Sequence, residues 1–422
     1  MKGVGESLPV TDEEASVAEI QGLYGPFSFP EKLFQKIWSR GDFDQNLAVL
    51  SDGRPLRVRH PGKWNLLGGP DFKGARLQLG DDEVTGDIEL HLHAEDWAAH
   101  RHAGDPAYAG VVLHVVLFPP RPGLVTHGGN GRVIPMLVLL PLLNHDLEEY
   151  AAEEAVEILA NRPMAHACEE LGGLGEVELN TLVRRHAAQR WGRKVHFARL
   201  RLQRLGWTAA CHHAALEILG YRFNRAPMLR VAAQFPLEAW TGGALPVEAV
   251  LAAGAGSWSL QGVRPANQPR TRLRQYALWA KLRHDWPLEL EAMASRLPQG
   301  GGSVEATTAG YRRLQGLVAW RRRLAHELCA DAVTGTRFDN LVCDGFLPLL
   351  AARAVGQLGG LWFHWFAGDV PPHLMRALRE LGVTGGHLQP ACHGAAQGLL
   401  GWLIERESRA AQLQPTPLGR GA

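Results

Sequence analysis

Two alternating runs joined by an acidic turn constrain the fold of this chain most strongly. Residues Ala75–Leu79 read ARLQL and residues Asp87–His93 read DIELHLH, with the turn Asp81–Glu83 between them. Side chains alternate between the two faces of a strand, so this spacing predicts a hairpin with one apolar face. The opposite face of the second strand carries four polar residues: Asp87, Glu89, His91 and His93. Burying such a row unpaired costs on the order of several kcal/mol per charge. We therefore expect a metal ion, a network of polar partners or solvent to meet it.

Length and charge restrict the class of protein. The chain has 422 residues, of which 46% are hydrophobic, so two globular domains with sizeable cores are expected. A net charge of +1 excludes a globally basic nucleic-acid binder but permits a local basic surface. Five scattered cysteines without a CxxC motif fit a reducing compartment, and no apolar stretch has the length of a membrane span. These features predict a soluble, cytoplasmic protein that does not associate with membranes.

The order of patterns along the chain predicts an α+β fold. A lead-in of residues 1–24 precedes a mixed α/β domain over residues 25–170, in which helices flank a mixed sheet. A Gly-rich composition shift follows, and patterns of helical period then predict a mainly α-helical domain over residues 171–406. Residues 407–422 are expected to form a frayed tail.

Two carboxylates in the central stretch are candidates for metal chemistry. Asp71 stands just before the first strand and Glu89 lies on the second, so a hairpin would bring them together at one end of a sheet. Carboxylate oxygens suit Mg²⁺ or Mn²⁺. His91 follows Glu89 on the same strand face, where it could orient or deprotonate an attacking water. The expected chemistry is metal-dependent hydrolysis of a phosphodiester.

This pattern resembles the PD-(D/E)XK nuclease signature. Pro70-Asp71 and Glu89-Leu90-His91 match it, with His in place of the usual Lys, and the order helix, strand, Asp-strand, Glu-strand, helix, strand is similar. The resemblance implies a restriction-endonuclease-like core, cleavage of DNA or RNA, and a catalytic role for Glu31 in the first helix. The His at the Lys position lacks a fixed positive charge.

A wider set of motifs resembles the bacterial domain-of-unknown-function family 2851. These motifs are Glu31–Trp38, Gly68–Phe72, Gly86–His91, Asp96-Trp97 with His100 and His102, Asp105-Pro106 with Tyr108, and Val112–Val115. The family implies no particular activity, so this resemblance concerns the domain rather than its chemistry.

The histidines support an alternative site. His91, His93, His100, His102 and His114 fall within 24 residues, which is enough imidazole for a transition metal such as zinc or iron. In the nuclease interpretation, the residues expected to support the metal ligands are His100, His102, His114 and Asp87. His93 and His114 fit a purely structural role equally well, and Trp97 and Tyr108 are expected to pack rather than to bind substrate. In that case the chain would be a non-catalytic nucleic-acid or protein interaction module on a degenerate nuclease fold.

Candidate substrate contacts lie on a loop and on a helix. Lys63 and Asn65 precede Asp71 on a Gly/Pro-rich loop, where they could contact phosphate. Between Arg184 and Arg230, eleven cationic residues meet a single acid, Glu217, and include Arg190, Arg193 and Lys194. This imbalance predicts either a phosphate-binding surface or a face that pairs with the acidic segment Glu148–Glu157.

Overall fold

The computed structural model describes residues 17–23, 25–159, 164–243, 245–298, 307–354 and 356–413. The chain forms two compact units, of which the first holds Pro26–Leu143 and the second begins at Asn144. A mixed sheet dominates the first unit and helices dominate the second. The predicted α+β class is therefore confirmed.

The N-terminal elements begin before the mixed sheet. The strands are β1 (Val17–Gly22), β2 (Gly25–Pro30), β3 (Leu56–His60), β4 (Lys63–Trp64), β5 (Phe72–Leu79), β6 (Asp82–His91), β7 (Val111–Val116), β8 (Thr126–His127), β9 (Val133–Ile134) and β10 (Met136–Val138). The helices among them are α1 (Glu31–Arg40) and α2 (Asp96–Ala99). Strand β1 lies within the segment predicted as a lead-in, whose residues 1–16 fall outside the described chain.

The main sheet has the order β10-β7-β6-β5-β3, with the short β4 also paired to β5. Strand β5 is antiparallel to both β3 and β6, whereas β7 is parallel to β6 and β10 is parallel to β7. Helix α1 buries Leu33, Phe34, Ile37 and Trp38. The parallel pairing of β6 with β7 sets Glu89 opposite His114.

The predicted hairpin of the central stretch is present and longer than its sequence pattern indicated. Strands β5 and β6 pair from Leu79↔Asp82 back to Phe72↔Ile88, and Gly80 adopts the positive φ that the tight turn requires. Gly86 allows β7 to approach closely, since a Cβ there would lie 2.3 Å from Cγ1 of Val112. Because β6 lies between β5 and β7, its polar residues Asp87, Glu89 and His91 are on a central strand of the sheet.

Two elements are interrupted for local backbone reasons. The apolar run from Val133 divides at Pro135, so β9 pairs with β8 whereas β10 joins the main sheet. Helix α2 is limited to Asp96–Ala99. It cannot continue because Arg101 adopts a left-handed conformation, with a φ of 60°.

The second unit consists of helices. These are α3 (Leu147–Leu159), α4 (Ala165–Gly172), α5 (Glu176–Leu205), α6 (Trp207–Gln234), α7 (Leu237–Thr241), α8 (Val247–Ala253), α9 (Pro269–Leu282), α10 (Trp286–Ala294), α11 (Thr308–Leu314), α12 (Leu317–Cys329), α13 (Gly335–Asn340), a π-helical segment (Leu341–Phe346), α14 (Leu347–Ala352), α15 (Gly359–His364), α16 (Pro372–Glu380) and α17 (His393–Leu413). None of the helices in the described ranges is long and apolar enough to cross a membrane.

Two helices of this unit have notable features. Helix α6 is broken at Tyr221 and Asn224, whose dihedral angles are not helical. Helix α17 continues to Leu413, through the first part of the predicted tail of residues 407–422. Residues 414–422 lie outside the described chain.

Candidate metal centre

Asp71 and Glu89 are held together by a reciprocal pair of backbone hydrogen bonds. The backbone N–H of Asp71 donates to Oε2 of Glu89 at 3.0 Å, and the backbone N–H of Leu90 donates to Oδ2 of Asp71 at 2.9 Å. The predicted meeting of these carboxylates at the start of β5 is therefore present. Fixing Oε2 of Glu89 in this way leaves Oε1 directed toward neighbouring imidazoles.

A glutamine on α1 completes the surroundings of Asp71. Nε2 of Gln35 donates to Oδ1 of Asp71 at 2.6 Å, while Oε1 of Gln35 accepts a hydrogen bond from the indole of Trp64 at 3.2 Å. Each carboxylate oxygen of Asp71 thus accepts a hydrogen bond from the protein. Glu31 lies one helical turn before Gln35 in the first turn of α1, as the sequence predicted for its position. Its catalytic role stays a prediction.

Three imidazoles and one carboxylate meet at Nε2 of His91. Nδ1 of His100 and Nε2 of His102 each lie 3.2 Å from this atom. Oε1 of Glu89 lies 3.6 Å from Nε2 of His91 and 3.4 Å from Nε2 of His102. The donor atoms of the three histidines all lie within 4.8 Å of one another, as those of a metal site would. We call His91, His100, His102 and Glu89 the histidine cluster.

The backbone around Arg101 brings His100 and His102 to the same place. If helix α2 continued through residue 102, the side chains of His100 and His102 would lie about 200° apart around its axis, so only one could face His91. The left-handed conformation of Arg101 ends α2 and turns the chain between them. Both imidazoles therefore reach Nε2 of His91. His102 is buried and His100 is exposed, so the cluster reaches solvent on the His100 side.

A second line of contacts supports His91 from behind. Nδ1 of His91 lies 2.9 Å from Nε2 of His114, and Nδ1 of His114 lies 2.8 Å from the hydroxyl of Thr126. If Nδ1 of each histidine donates along this line, Nε2 of His91 carries a lone pair rather than a proton. Such a partner behind a ligand fixes its ring and tautomer. His114 therefore contacts the ring of His91 from the side opposite Nε2, and its role in supporting a metal ligand stays a prediction.

Aromatic residues enclose the cluster. The ring of Tyr108 stacks on His102 with centroids 3.8 Å apart, and Trp97 packs edge-on against His102 at 5.3 Å. The indole N–H of Trp97 donates to the carbonyl of His127 at 3.0 Å. Both aromatic residues are buried. They pack as the sequence predicted and keep one side of the cluster dry.

Burial keeps the imidazoles neutral. It lowers the pKa of His91 well below the ordinary value, and the adjacent imidazoles lower this pKa further. Burial and the neighbouring His100 lower the pKa of His102 to about 4, although Asp105 opposes the change. Burial, followed by His102, lowers the pKa of His114 to about 3. At neutral pH these rings therefore offer lone pairs rather than positive charges.

The spacing of three histidine donors fits a single metal ion. Among the described residues, the donor atoms of His91, His100 and His102 all lie within 4.8 Å of one another, and Glu89 adjoins two of these rings. Nitrogen ligands bind zinc at about 2.0–2.1 Å, which in tetrahedral geometry places neighbouring donors roughly 3.3–3.4 Å apart. The donor separations around His91 and Glu89 are 3.2, 3.2, 3.4 and 3.6 Å. Imidazole nitrogen with one carboxylate is a donor set suited to zinc or another first-row transition metal.

Asp87 on β6 and His93, two residues after the end of β6, lie outside the cluster. Asp87 accepts hydrogen bonds from Nζ of Lys73 and from the backbone N–H of Gly74, both at 3.0 Å. Asp87 therefore stabilises the bulge at the start of β5 rather than the position of a residue in the histidine cluster. His93 is exposed and stacks on Phe118. The polar row of β6 thus divides between a buried cluster and a surface.

Asn65 organises the loop before Asp71. Its Nδ2 donates to the carbonyl of Pro70 at 3.0 Å, its Oδ1 accepts from the backbone N–H of Leu67 at 3.2 Å, and its backbone N–H donates to the carbonyl of Asp71. These bonds give Asn65 a structural role, so its contact with phosphate stays a prediction. Lys63 is exposed on β4.

The cationic residues predicted on α5 have partners within the second unit. Nζ of Lys194 lies 2.7 Å from Oδ1 of Asp344, and Nε of Arg193 lies 3.0 Å from Oε1 of Glu148. Nε of Arg190 donates to Oε1 of Gln397 at 2.6 Å. These contacts favour the interpretation in which the cationic segment pairs with acidic residues. A contact of these three residues with substrate stays a prediction.

Gln35 and Thr126 were not found by sequence reasoning. Gln35 is one turn after Glu31 on the same helix face, which is a usable signal in retrospect. Thr126 lies in a two-residue strand remote from the cluster in sequence, and nothing in its surroundings marks it.

Comparison with known proteins identifies the family of the chain. The model of a family described as "Protein of unknown function (DUF2851)" matches residues 31–256, more than half of the sequence. No curated protein matches, and no solved structure matches. The matched region contains every member of the histidine cluster. The chain belongs to the DUF2851 family.

Proposed function

We propose that this protein is a metal-dependent phosphodiesterase that acts on nucleic acid through the histidine cluster. The observation that carries the proposal is the convergence on Nε2 of His91 of two further imidazole nitrogens and one carboxylate oxygen. A ring nitrogen forms one hydrogen bond, either as donor or as acceptor. Nε2 of His91 has three polar neighbours at 3.2–3.6 Å, which is more than one ring nitrogen can engage in hydrogen bonds. One cation between them would interact favourably with all of these atoms.

The donor set favours a transition metal over Mg²⁺. Neutral imidazoles are ligands for zinc and iron, whereas Mg²⁺ and Mn²⁺ prefer oxygen. The sequence placed the metal on Asp71 and Glu89, but both oxygens of Asp71 already accept hydrogen bonds from protein donors. In this proposal Asp71 therefore positions Glu89. Mg²⁺ or Mn²⁺ on the two carboxylates is the alternative that metal titration distinguishes.

The substrate class rests on the PD-(D/E)XK resemblance of the sequence. An initial helix, an antiparallel β3-β5-β6 meander and a parallel β7 are compatible with the order of elements that this resemblance implies. Asp71 lies just before β5, and Glu89 lies on β6. This likeness supports a phosphodiester substrate in DNA or RNA, which the histidines alone would not specify.

The residues divide the chemical tasks among themselves. A bound divalent metal supplies a water of lowered pKa and stabilises charge on a scissile phosphate. His91, His100 and His102 hold the metal, so His91 is a ligand here and not the base that its sequence position indicated. Glu89 completes the donor set, and His114 keeps the ring of His91 in the required tautomer. Trp97 and Tyr108 exclude water from the buried side.

A structural metal site on a non-catalytic binding module is the second candidate. The burial of His91 and His102 favours it, because structural zinc sites are closed whereas catalytic sites keep an open position. The exposure of His100 favours the catalytic alternative. Turnover by the metal-loaded protein decides between the two.

The test is hydrolysis by the full-length protein after removal of metal and reloading with Zn²⁺, Mn²⁺ or Mg²⁺. Substrates are a fluorescent oligonucleotide and the small diester bis-p-nitrophenyl phosphate. We expect activity with Zn²⁺ rather than with Mg²⁺ or Mn²⁺, and its loss in His100→Ala and Glu89→Gln. The matched control is His93→Ala, which removes an exposed imidazole outside the cluster and should keep wild-type activity. Equal turnover by wild type and His100→Ala would identify a contaminating hydrolase and reject the proposal.

A further inference from the structure

A cationic surface covers the solvent face of the strands next to the histidine cluster. Its members are exposed side chains on β3, β4 and β5: Arg57, Arg59, His60, Lys63, Lys73 and Arg76. We call this set the basic sheet face. The apolar side chains of the same strands, including Leu56, Leu77 and Leu79, are buried on the other side.

Strand pairing places like charges opposite each other on this face. Lys63 pairs directly with Lys73. Arg76 lies opposite the imidazole of His60 rather than opposite an acid. Directly opposed cations destabilise a sheet, whereas opposed cations and anions stabilise it. Pairing driven by stability alone would therefore place acids here. The two acids that border the face are Asp87, which binds Lys73, and Glu83, which lies opposite Gln78.

The other cations have no acidic partner in the described part of the chain. Arg57, Lys63 and Arg76 make no ion pair within 4.0 Å there, and Arg59 donates to the neutral side chain of Gln78 at 2.7 Å. The cations predicted to bind substrate in the second unit differ in this respect, since Lys194 is bound to an acid. The basic sheet face therefore has positive charge available for an external partner.

The face is continuous with the loop that leads into the cluster. Lys73 lies two residues after Asp71, and its Nζ lies 3.8 Å from the position that a Cβ on Gly69 would occupy. Asp71 in turn positions Glu89 through the reciprocal hydrogen bonds. Adjacent strands lie about 4.8 Å apart and alternate residues about 7 Å apart, so the cations form a two-dimensional array that suits a chain of phosphates.

We infer that the basic sheet face binds the sugar-phosphate backbone of the nucleic acid whose diester reaches the histidine cluster. The inference rests on the proposed function only for what happens to the bound strand, since binding itself needs no metal. A charged edge strand also discourages edge-to-edge aggregation. That role predicts no affinity for nucleic acid, so a binding measurement separates the two explanations.

The experiment uses the full-length protein in EDTA with fluorescein-labelled single-stranded and duplex DNA of 20 nucleotides, measured by anisotropy over a range of salt. The test variant is Arg57→Gln/Arg76→Gln. The matched control is Arg270→Gln/Arg274→Gln, which removes the same charge from exposed arginines that pair with Glu248. Each lost phosphate contact should lower the salt dependence by about one unit of slope.

We expect the test variant to bind DNA on the order of tenfold more weakly, with a salt slope smaller by about two, while the control binds as wild type. The arm with the greater affinity identifies the preferred strandedness. Equal affinity of the test variant and the control, or no binding by wild type at low salt, overturns the inference.

Hydrolysis of bis-p-nitrophenyl phosphate keeps the two proposals distinguishable. The small diester does not need the basic sheet face, so its turnover should be unchanged in Arg57→Gln/Arg76→Gln. DNA binding without any hydrolysis would reject the proposed function and leave this inference standing. Hydrolysis of the small diester without DNA binding would do the reverse.

Discussion

Replacing His100 offers the cleanest perturbation of the histidine cluster. His100 is exposed whereas His91 and His102 are buried, so truncating His100 opens no cavity in the core. Exposed substitutions typically change the free energy of unfolding by no more than about 0.5 kcal/mol. His100→Ala should therefore fold as wild type does while it loses one metal ligand.

The expected loss of affinity follows from the number of donors. Zinc sites with four protein ligands have apparent binding free energies of about 10–16 kcal/mol, or roughly 3 kcal/mol for each ligand. Losing the Nδ1 of His100, 3.2 Å from Nε2 of His91, should raise the Kd for zinc about 100-fold. Competition with a chromophoric chelator at pH 7 measures this change. His93→Ala, which removes an exposed imidazole two residues after His91, is the matched control and should bind zinc as tightly as wild type.

An unchanged affinity for zinc would contradict the assignment of His100 as a ligand. If His100→Ala and wild type had the same Kd for zinc, His100 would not be a ligand. The three contacts at Nε2 of His91 would then belong to a hydrogen-bonded network without metal. Urea unfolding of both proteins in EDTA shows whether any change in affinity reflects the site or the fold.

Two further predictions concern the fold. Gly86→Ala places a Cβ 2.3 Å from Val112, so it should force β6 away from β7 and lower the free energy of unfolding by about 1–3 kcal/mol; urea unfolding measures this, and an unchanged midpoint would show that the sheet yields there. Burial lowers the pKa of His145, but the carboxylates of Glu217 and Glu149 outweigh it and raise this pKa to about 10. The raised pKa of His145 stabilises the folded protein, and this contribution is fully present below the ordinary histidine pKa of 6.5. As the pH rises toward 10, the contribution to the free energy of unfolding falls by about 1.4 kcal/mol per pH unit. Between pH 7 and pH 9, wild type should therefore lose roughly 3 kcal/mol more than His145→Gln; equal losses in urea unfolding at the two pH values would contradict the assignment.

The hairpin of β5 and β6 was predictable because the two-residue periodicity of its strands and the short turn between them determine it. Alternation in ARLQL and DIELHLH, separated by a short acidic turn, leaves few options besides a hairpin with Glu89 and His91 on one face. The meeting of Asp71 with Glu89 follows from that register. The apolar run before Val116 was readable as a buried strand for a similar reason, since parallel strands are covered on both faces.

The histidine cluster itself could not be predicted in detail, since it depends on one backbone conformation. The left-handed backbone conformation of Arg101 is rare for a residue with a Cβ, and the neighbouring sequence does not predict it. Without it, His100 and His102 point in different directions. The contact between Gln35 and Asp71 depends on how α1 packs, which is a tertiary property.

Charge counts in the sequence left two interpretations open for the eleven cations in and around α5, namely binding of phosphate or pairing with the acidic segment Glu148–Glu157. Arg193 pairs with Glu148, as the second interpretation requires. Lys194 pairs with Asp344, which lies 150 residues away in the sequence, so counting nearby charges could not identify that partner. The basic sheet face involves fewer cations and becomes visible only once strand pairing sets Lys63 opposite Lys73.

The most direct test of the metal centre is X-ray absorption at the zinc edge of the full-length protein loaded with one equivalent of Zn²⁺. We expect a first shell of nitrogen and oxygen at about 2.0–2.1 Å, with the outer-shell scattering of three imidazoles. In His100→Ala the imidazole contribution should fall to two. An oxygen-only shell, or a spectrum that is identical in wild type and His100→Ala, would contradict the assignment of His91, His100 and His102 as metal ligands.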